Sequence, residues 1–271
     1  MGLRGDSLQY GGENLRRASL FLGCVVPGVV AHPGSTRGRS LAGIRATASL
    51  LTSLPRLHVS LTDSPAGERL NHHFGDRIWG IRHSRLAQGV LVVPEHEGLY
   101  LRGRSRQAIR TGIRRARADG ITCRPLHDIE ERRAVLQHLN MTMSEWDEDS
   151  LSLAGDVWRA AFSSNGVPVA VARMTVDVEL ALLQTFVSSH LASRYLLHAE
   201  LVETLISARV RYLAVNAPMA PLLEPALQYW QRLLGFQVAN LSLTCASPSL
   251  ELRLALDTRA ESVIYGTSQA G

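Results

Sequence analysis

The residues of this chain best suited to chemistry are its arginines. Between Leu101 and Arg117 stand Arg102, Arg104, Arg106, Arg110, Arg114, Arg115 and Arg117, with no acid among them. This stretch carries +7, whereas the whole chain has a formal net charge of +5, so the remainder is slightly acidic. Helical spacing places Arg106, Arg110, Arg114 and Arg117 in one stripe and Ile109, Ile113 and Ala116 on the opposite face. A fixed row of guanidinium groups suits phosphate, because each offers forked N–H donors to a pair of oxygens. The expected ligand is a polyanion, either a tRNA backbone or a coenzyme phosphate. The alternative is a solvated helix face whose arginines pair with Asp147, Glu148, Asp149 or other surface acids. Seven like charges in one stretch repel unless something compensates them.

All 29 basic residues are arginine, and the chain has no lysine. Every mechanism built on a lysine is thereby excluded: a Walker A contact to phosphate, a Schiff base to pyridoxal phosphate, a kinase-type lysine, a Ser-x-x-Lys hydrolase. Cys24, Cys123 and Cys245 are far apart and form no even framework, which points to a reducing, cytoplasmic setting. No metal site is expected, since the adjacent pair His72-His73 lacks further spaced ligands. No apolar run is long enough to span a membrane, and no membrane partner is expected. The run Ala18 to Ala31 after Arg16-Arg17 has the outline of a secretory signal, but Pro27 interrupts it. A buried strand or helix is the alternative there.

The elements that must position these groups can be placed from pattern. Residues 1–15 and 257–271 are polar and small and read as loose ends. Residues 16–100 read as a small α/β subdomain: a loop over 32–40, a helix over 41–54, a strand over 56–62, a loop to Gly75, then strands over 77–82 and 89–93. Residues 101–120 form the Arg-rich linking helix, opened by Ser105 and stopped by Asp119-Gly120. Residues 121–256 form the main domain. It begins with a helix from Asp128 to Leu139, an acidic loop from Ser144 to Ser150 and a short helix ending near Ser163. An antiparallel pair follows, Val167 to Val176 with Leu180 to Val187. Then come a helix capped by Ser193, a strand over 210–216, a helix over 223–234 with Gly235 as its stop, and a last strand over 236–243.

The order helix, hairpin, helix, strand, helix, strand over 128–243 resembles the GNAT acyltransferase fold. Two stretches carry the resemblance, Leu180 to Val215 and the ending YWQRLLGFQV, Tyr229 to Val238. Upstream, Tyr100 to Cys123 is similar to the Arg-rich helix that joins the halves of Fem-type transferases, double-GNAT proteins that take an aminoacyl group from tRNA. The resemblance implies a mixed, mostly antiparallel α/β (α+β) sheet flanked by helices, with the first half as a truncated second unit. It implies a donor site at the end of the fourth GNAT strand, formed by Phe186, Val187, Ser188, Ser189, Ser193 and Arg194. Backbone N–H groups near Phe186 to Ser188 would polarise the acyl carbonyl. His190, His198 and Glu200 are the candidate bases, Tyr229 stands in for the family's tyrosine acid, and Gln184 could orient a substrate.

The departures from that pattern are specific. A GNAT cradles the coenzyme pyrophosphate with glycines at a helix N-terminus. Here Ser188 to Tyr195 (SSHLASRY) contains no glycine. The family's tyrosine acid falls on Gln231, with Tyr229 about 200° around a helix from it. Three functions follow as expectations. The first is transfer of an acyl group from acyl-coenzyme A to a small amine acceptor. The second is Fem-like transfer of an aminoacyl group from aminoacyl-tRNA to an amine, which explains both the arginines and the missing cradle. The third is a GNAT module without activity that binds nucleic acid or a partner. The aromatic residues are scattered, without the spacing of a base-stacking platform.

Overall fold

Between residues 156 and 188, three stretches of mostly buried residues form strands. They are β4 (Asp156–Phe162), β5 (Pro168–Val176) and β6 (Leu180–Ser188). Gly166, at φ +75°, makes the turn between β4 and β5, a backbone conformation that glycine adopts without steric penalty. Both neighbouring pairs are antiparallel, with Ala161 opposite Ala170 and Ala172 opposite Phe186. The expected β5–β6 hairpin is thus present. The short helix expected before Ser163 is instead β4. Its residues are buried on both faces and bonded on both edges, and that long-range pairing overrides the local pattern.

The computed structural model describes residues 52–75, 82–141, 146, 148–216 and 225–245. The signal-like run 18–31, the loop over 32–40, the loose ends and nearly all of the expected helix over 41–54 and strand over 77–82 lie outside them. The other strands are β1 (Arg56–Leu61), β2 (Gln88–Val92), β3 (Thr122–Pro125), β7 (Tyr212–Val215) and β8 (Gln237–Cys245). The longer helices are α1 (Pro65–Gly75), α3 (Gln107–Ala118), α4 (Ile129–His138), α6 (Leu191–Ser207) and α7 (Pro225–Leu234), with short α2 (Glu97–Tyr100) and α5 (Glu148–Leu151) between them.

All eight strands form one sheet in the order β1-β8-β2-β7-β6-β5-β4-β3. The β1–β8 and β6–β7 pairs are parallel and the other five are antiparallel. The fold class is therefore the expected one, a mixed and mostly antiparallel sheet flanked by helices. β2 is inserted between β7 and β8, so strands from residues 56–92 hydrogen-bond into the same sheet as the later ones.

Alternation along the strands gives each face its own core. Ala170, Ala172 and Met174 of β5 face a cluster that includes Ile109, Ile113 and Ala116 of α3 and Leu197, Leu201 and Leu205 of α6. Val171 faces the other way, toward Leu136 of α4 and Trp158. A further cluster joins Leu70 and Phe74 of α1 to Val59, Val90 and Tyr212. The apolar face predicted for α3 is the buried one.

The segment 62–75, expected to be a loop, is mostly α1. Ser64 Oγ accepts the Gly67 amide at 3.0 Å, Pro65 opens the first turn, and Ala66, Leu70 and Phe74 fall on one buried face. Its glycine, asparagine and histidines are weak helix formers, so packing decides the matter. Two predicted helix starts also shift. α6 begins at Leu191 with His190 as N-cap, and Ser193 is buried within its first turn. α3 is preceded by a tight turn over Arg104–Arg106, so Arg106 occupies the cap position and Ser105 does not.

Candidate functional site

The sheet opens where β6 outruns its neighbour. β7 pairs with β6 only from Leu180 to Leu183, and the Asn216 amide closes that ladder on the Leu183 carbonyl at 3.1 Å. β6 continues to Ser188 with no described strand beside it on that edge. Helix α6 starts just beyond, so strand edge and helix N-terminus meet at Ser188 to Leu191.

The turn between them is held by its own serines. Ser188 Oγ and Ser193 Oγ are 2.7 Å apart, and each lies 2.7 Å from the His190 carbonyl. The Ser189 hydroxyl and amide both donate to the Val169 carbonyl, at 3.1 and 2.9 Å. These hydroxyls shape the turn and are committed to it. Phe186, Val187 and Ser188 are buried. Arg194 reaches back to the Ser188 carbonyl at 3.5 Å and lies 6.0 Å from the centre of the Trp230 ring.

The four residues expected to act as acid or base are placed apart. His190 is at the N-cap of α6, and its Nδ1 is buried without a hydrogen-bond partner. His198, about 12 Å further along the helix axis, is wholly buried. Its Nδ1 lies 2.9 Å from the Tyr100 hydroxyl, its Nε2 has no partner, and Phe186, Phe236 and Tyr100 surround its ring. Burial first, and Arg106 second, depress its pKa to about 3, so the imidazole is neutral at physiological pH. Glu200 is 3.7 Å from Arg159 on β4. Tyr229 stands on the surface of α7, 65% exposed. The thiol of Cys123 is pushed up to about 12, chiefly by burial and then by Glu200, which removes it as a nucleophile.

The arginine stripe divides in two. Arg106 donates to the Leu233 carbonyl at 2.7 Å and lies over the Tyr100 ring at 5.3 Å. It packs so closely on Gly235 that a Cβ there would meet its guanidinium at 1.8 Å. Arg110 donates to the carbonyls of Leu101 and Gly103. These two close the loop ahead of α3 and the end of α7. Arg102, Arg104, Arg114, Arg115 and Arg117 are exposed. Among the described residues, the ion pair of this group is Arg115 with Asp119, at 4.0 Å. Arg110, Arg114 and Arg117 line an open groove of about 350 Å³ whose remaining lining is Leu101 and Ile113.

Sequence spacing did not reveal an aromatic group that the fold assembles. Tyr195 of α6 and Trp230 of α7 have ring centres 5.2 Å apart, and Trp230 is 6.5 Å from Phe186. Burial, then the nearby Tyr229, raise the pKa of the Tyr195 hydroxyl. Tyr195 also fills the space left by Gly112 on α3, where a Cβ would approach its ring to 2.2 Å. Among the described residues, no group of three or more histidines, cysteines or carboxylates is arranged to hold a metal ion.

No protein-family model and no curated protein sequence matches this chain. Several solved structures are similar in shape. A C-terminal domain assigned to a lysylphosphatidylglycerol synthetase of Agrobacterium fabrum is 14% identical, with a TM-score of 0.41, over 68% of this chain and 67% of its own. L-PGS from Bacillus licheniformis is 12% identical, with a TM-score of 0.42, over 64% of each chain. A GCN5-related N-acetyltransferase from Kribbella flavida is 12% identical, with a TM-score of 0.31, over 57% of this chain and 54% of its own. This chain spans less than two thirds of the last two. The activity is read from the site itself.

Proposed function

We propose that this protein is an acyl-group transferase whose donor is carried on a polyanion, best read as aminoacyl-tRNA, with an amine as acceptor. The observation that carries this reading is the set of exposed arginines on and before α3, at the edge of an open groove. Arg114, Arg115 and Arg117 stand exposed within one turn of α3, with Arg102 and Arg104 exposed in the segment ahead of it, a spread of charge suited to a polynucleotide backbone. The glycine-free turn supports the same choice, because its hydroxyls are already bonded within the protein.

The chemistry needs no cofactor. The amine lone pair attacks the ester carbonyl, the carbon–oxygen bond to the ribose breaks, and the proton leaving nitrogen passes to that ribose oxygen. The edge of β6 from Gln184 to Ser188, beside which no described strand runs, is where backbone N–H groups can meet the developing oxyanion. His190, at the junction of β6 and α6 with an unpartnered Nδ1, is the candidate base there. Glu200 is tied to Arg159, and His198 is too deeply buried to accept a proton from solvent-borne substrate.

The second reading is transfer from acyl-coenzyme A to a small amine. It is supported by the opening of β6 from β7 and by the N-terminus of α6 directly beyond, where anions are favoured. One experiment separates the two. The purified full chain is incubated with labelled acetyl-coenzyme A, and separately with a pool of charged tRNAs, with amine acceptors present and at two salt concentrations. Salt-dependent tRNA binding with label transferred to amine is expected. Transfer from coenzyme A alone, unaffected by Arg114→Gln plus Arg117→Gln, would overturn the tRNA reading.

A further inference from the structure

Beside the open edge of β6 lies a surface that the transfer chemistry leaves unexplained. Leu191 is 64% exposed, far more than the other apolar residues of α6, and Tyr229 of α7 is 65% exposed. Leu191, Arg194 and Tyr195 lie within one turn of α6, and Trp230 faces Arg194 and Tyr195 from α7. Two contacts join the patch, Tyr195 on Trp230 at 5.2 Å and Arg194 over Trp230 at 6.0 Å, and the exposed Tyr229 precedes Trp230 in the chain. Through Gly112, Tyr195 rests against α3, whose Arg115 is exposed within the next turn.

An exposed tyrosine beside a half-buried tryptophan and an arginine is the composition of a surface on which unpaired bases stack. Aromatic faces accept any base, and arginine adds both a planar cation and a phosphate contact. A purely apolar partner would leave the Arg194 guanidinium without a counter-charge. A single nucleotide would leave the exposed arginines of α3 uncovered. Both features are met by a strand that places bases on the patch and phosphates on the helix.

We infer that Tyr229, Trp230, Tyr195 and Arg194 form a stacking platform for the unpaired end of an RNA strand. This assignment rests on the polyanion reading above and names the part of the donor that this surface holds. It also gives Tyr229 a role that needs no approach to the reacting atoms.

The test uses the full chain and a short single-stranded RNA with 2-aminopurine as its terminal base. Binding is followed by anisotropy and stacking by quenching of the fluorescent base. Wild-type protein is expected to bind and quench. Tyr229→Ala is expected to weaken binding about fivefold to 100-fold and to abolish quenching, with the salt slope unchanged. Arg194→Gln is expected to weaken binding and lower the slope by about one. The same RNA with its end paired in a hairpin is expected to bind both forms of position 229 equally. Wild-type affinity for the single strand in both variants would overturn the platform. So would equal binding of adenosine 3′,5′-bisphosphate and RNA, or a Tyr229→Ala variant that loses only self-association. If Arg114→Gln plus Arg117→Gln lowers the salt slope while Tyr229→Ala changes nothing, the platform falls and the polyanion reading stands. If the platform quenches RNA but charged tRNA yields no transfer, the reverse holds.

Discussion

The Tyr100 hydroxyl lies 2.9 Å from His198 Nδ1 and 3.3 Å from the Leu234 carbonyl, inside the core and out of reach of water. One hydroxyl thus ties the short α2, the middle of α6 and the end of α7 together. Tyr100→Phe leaves a buried imidazole nitrogen and a carbonyl without that partner. It should destabilise the fold by about 1–3 kcal/mol, measured by urea unfolding.

The same pair predicts an acid sensitivity. His198 has its pKa lowered from 6.5 to about 3 by burial, so only the unfolded chain takes up the proton between those values. Its contribution is fully present above the unfolded pKa and is lost as pH falls toward the folded one. Within that window stability should fall by about 1.4 kcal/mol per pH unit from this group alone. In His198→Phe the pH dependence of the unfolding free energy should be shallower by that amount. An unchanged slope would refute the burial argument.

The division of the arginine stripe predicts two classes of variant. Arg106→Gln and Arg110→Gln remove donors to the Leu233 and Leu101 carbonyls, and each should destabilise by about 1.5–3 kcal/mol. Arg114→Gln plus Arg117→Gln touch exposed groups. They should leave the unfolding midpoint within about 0.5 kcal/mol of wild type while reducing the salt slope of polyanion binding by about two. Thermal unfolding and salt-titrated binding, run on all four substitutions, check both halves.

At Gly112, Tyr195 of α6 packs directly onto α3, since a Cβ there would meet Tyr195 Cδ2 at 2.2 Å. Gly112→Ala should therefore destabilise by about 1–3 kcal/mol despite alanine's better helix propensity. Adding Tyr195→Ser should recover part of the loss. A double variant no more stable than Gly112→Ala alone would show that the strain lies elsewhere.

On the far face of the sheet, Asp156 accepts from Arg173 at 2.5 Å, Arg69 at 2.8 Å and Thr175 at 2.7 Å, with Asp156, Arg173 and Thr175 buried and Arg69 half-buried. Asp156→Ala would leave a buried guanidinium without its carboxylate. The expected loss is about 3–5 kcal/mol in urea unfolding, with no change in the salt slope of polyanion binding.

How much of this was legible in the sequence depended on the range of the interactions. The hairpin of β5 and β6 is written in apolar runs bounded by turn residues, and the buried face of α3 in its helical period, so their positions were readable. The β4 strand and helix α1 were not, since their weak local preferences are overruled by pairing with β3 and β5 and by the packing of Leu70 and Phe74. The candidate site was legible as a region, from Phe186 to Arg194, but the use of each serine hydroxyl within the turn was not.

By itself, the sequence determined the chemistry that is impossible without lysine, the concentration of positive charge before and along one helix, and the positions of the β5–β6 hairpin and of helices α3, α4, α6 and α7, while the mixed sheet was implied by the GNAT resemblance. All but the last follow from composition, apolar runs and the helical period, which act over a few neighbours. Only the tertiary structure decided which arginines are free. Arg106 and Arg110 look like Arg114 and Arg117 in sequence, yet carbonyls ahead of α3 and at the end of α7 claim the first two. It likewise decided that Tyr195 and Trp230 meet, because residues distant along the chain come together only when α6 and α7 pack on the same face of the sheet.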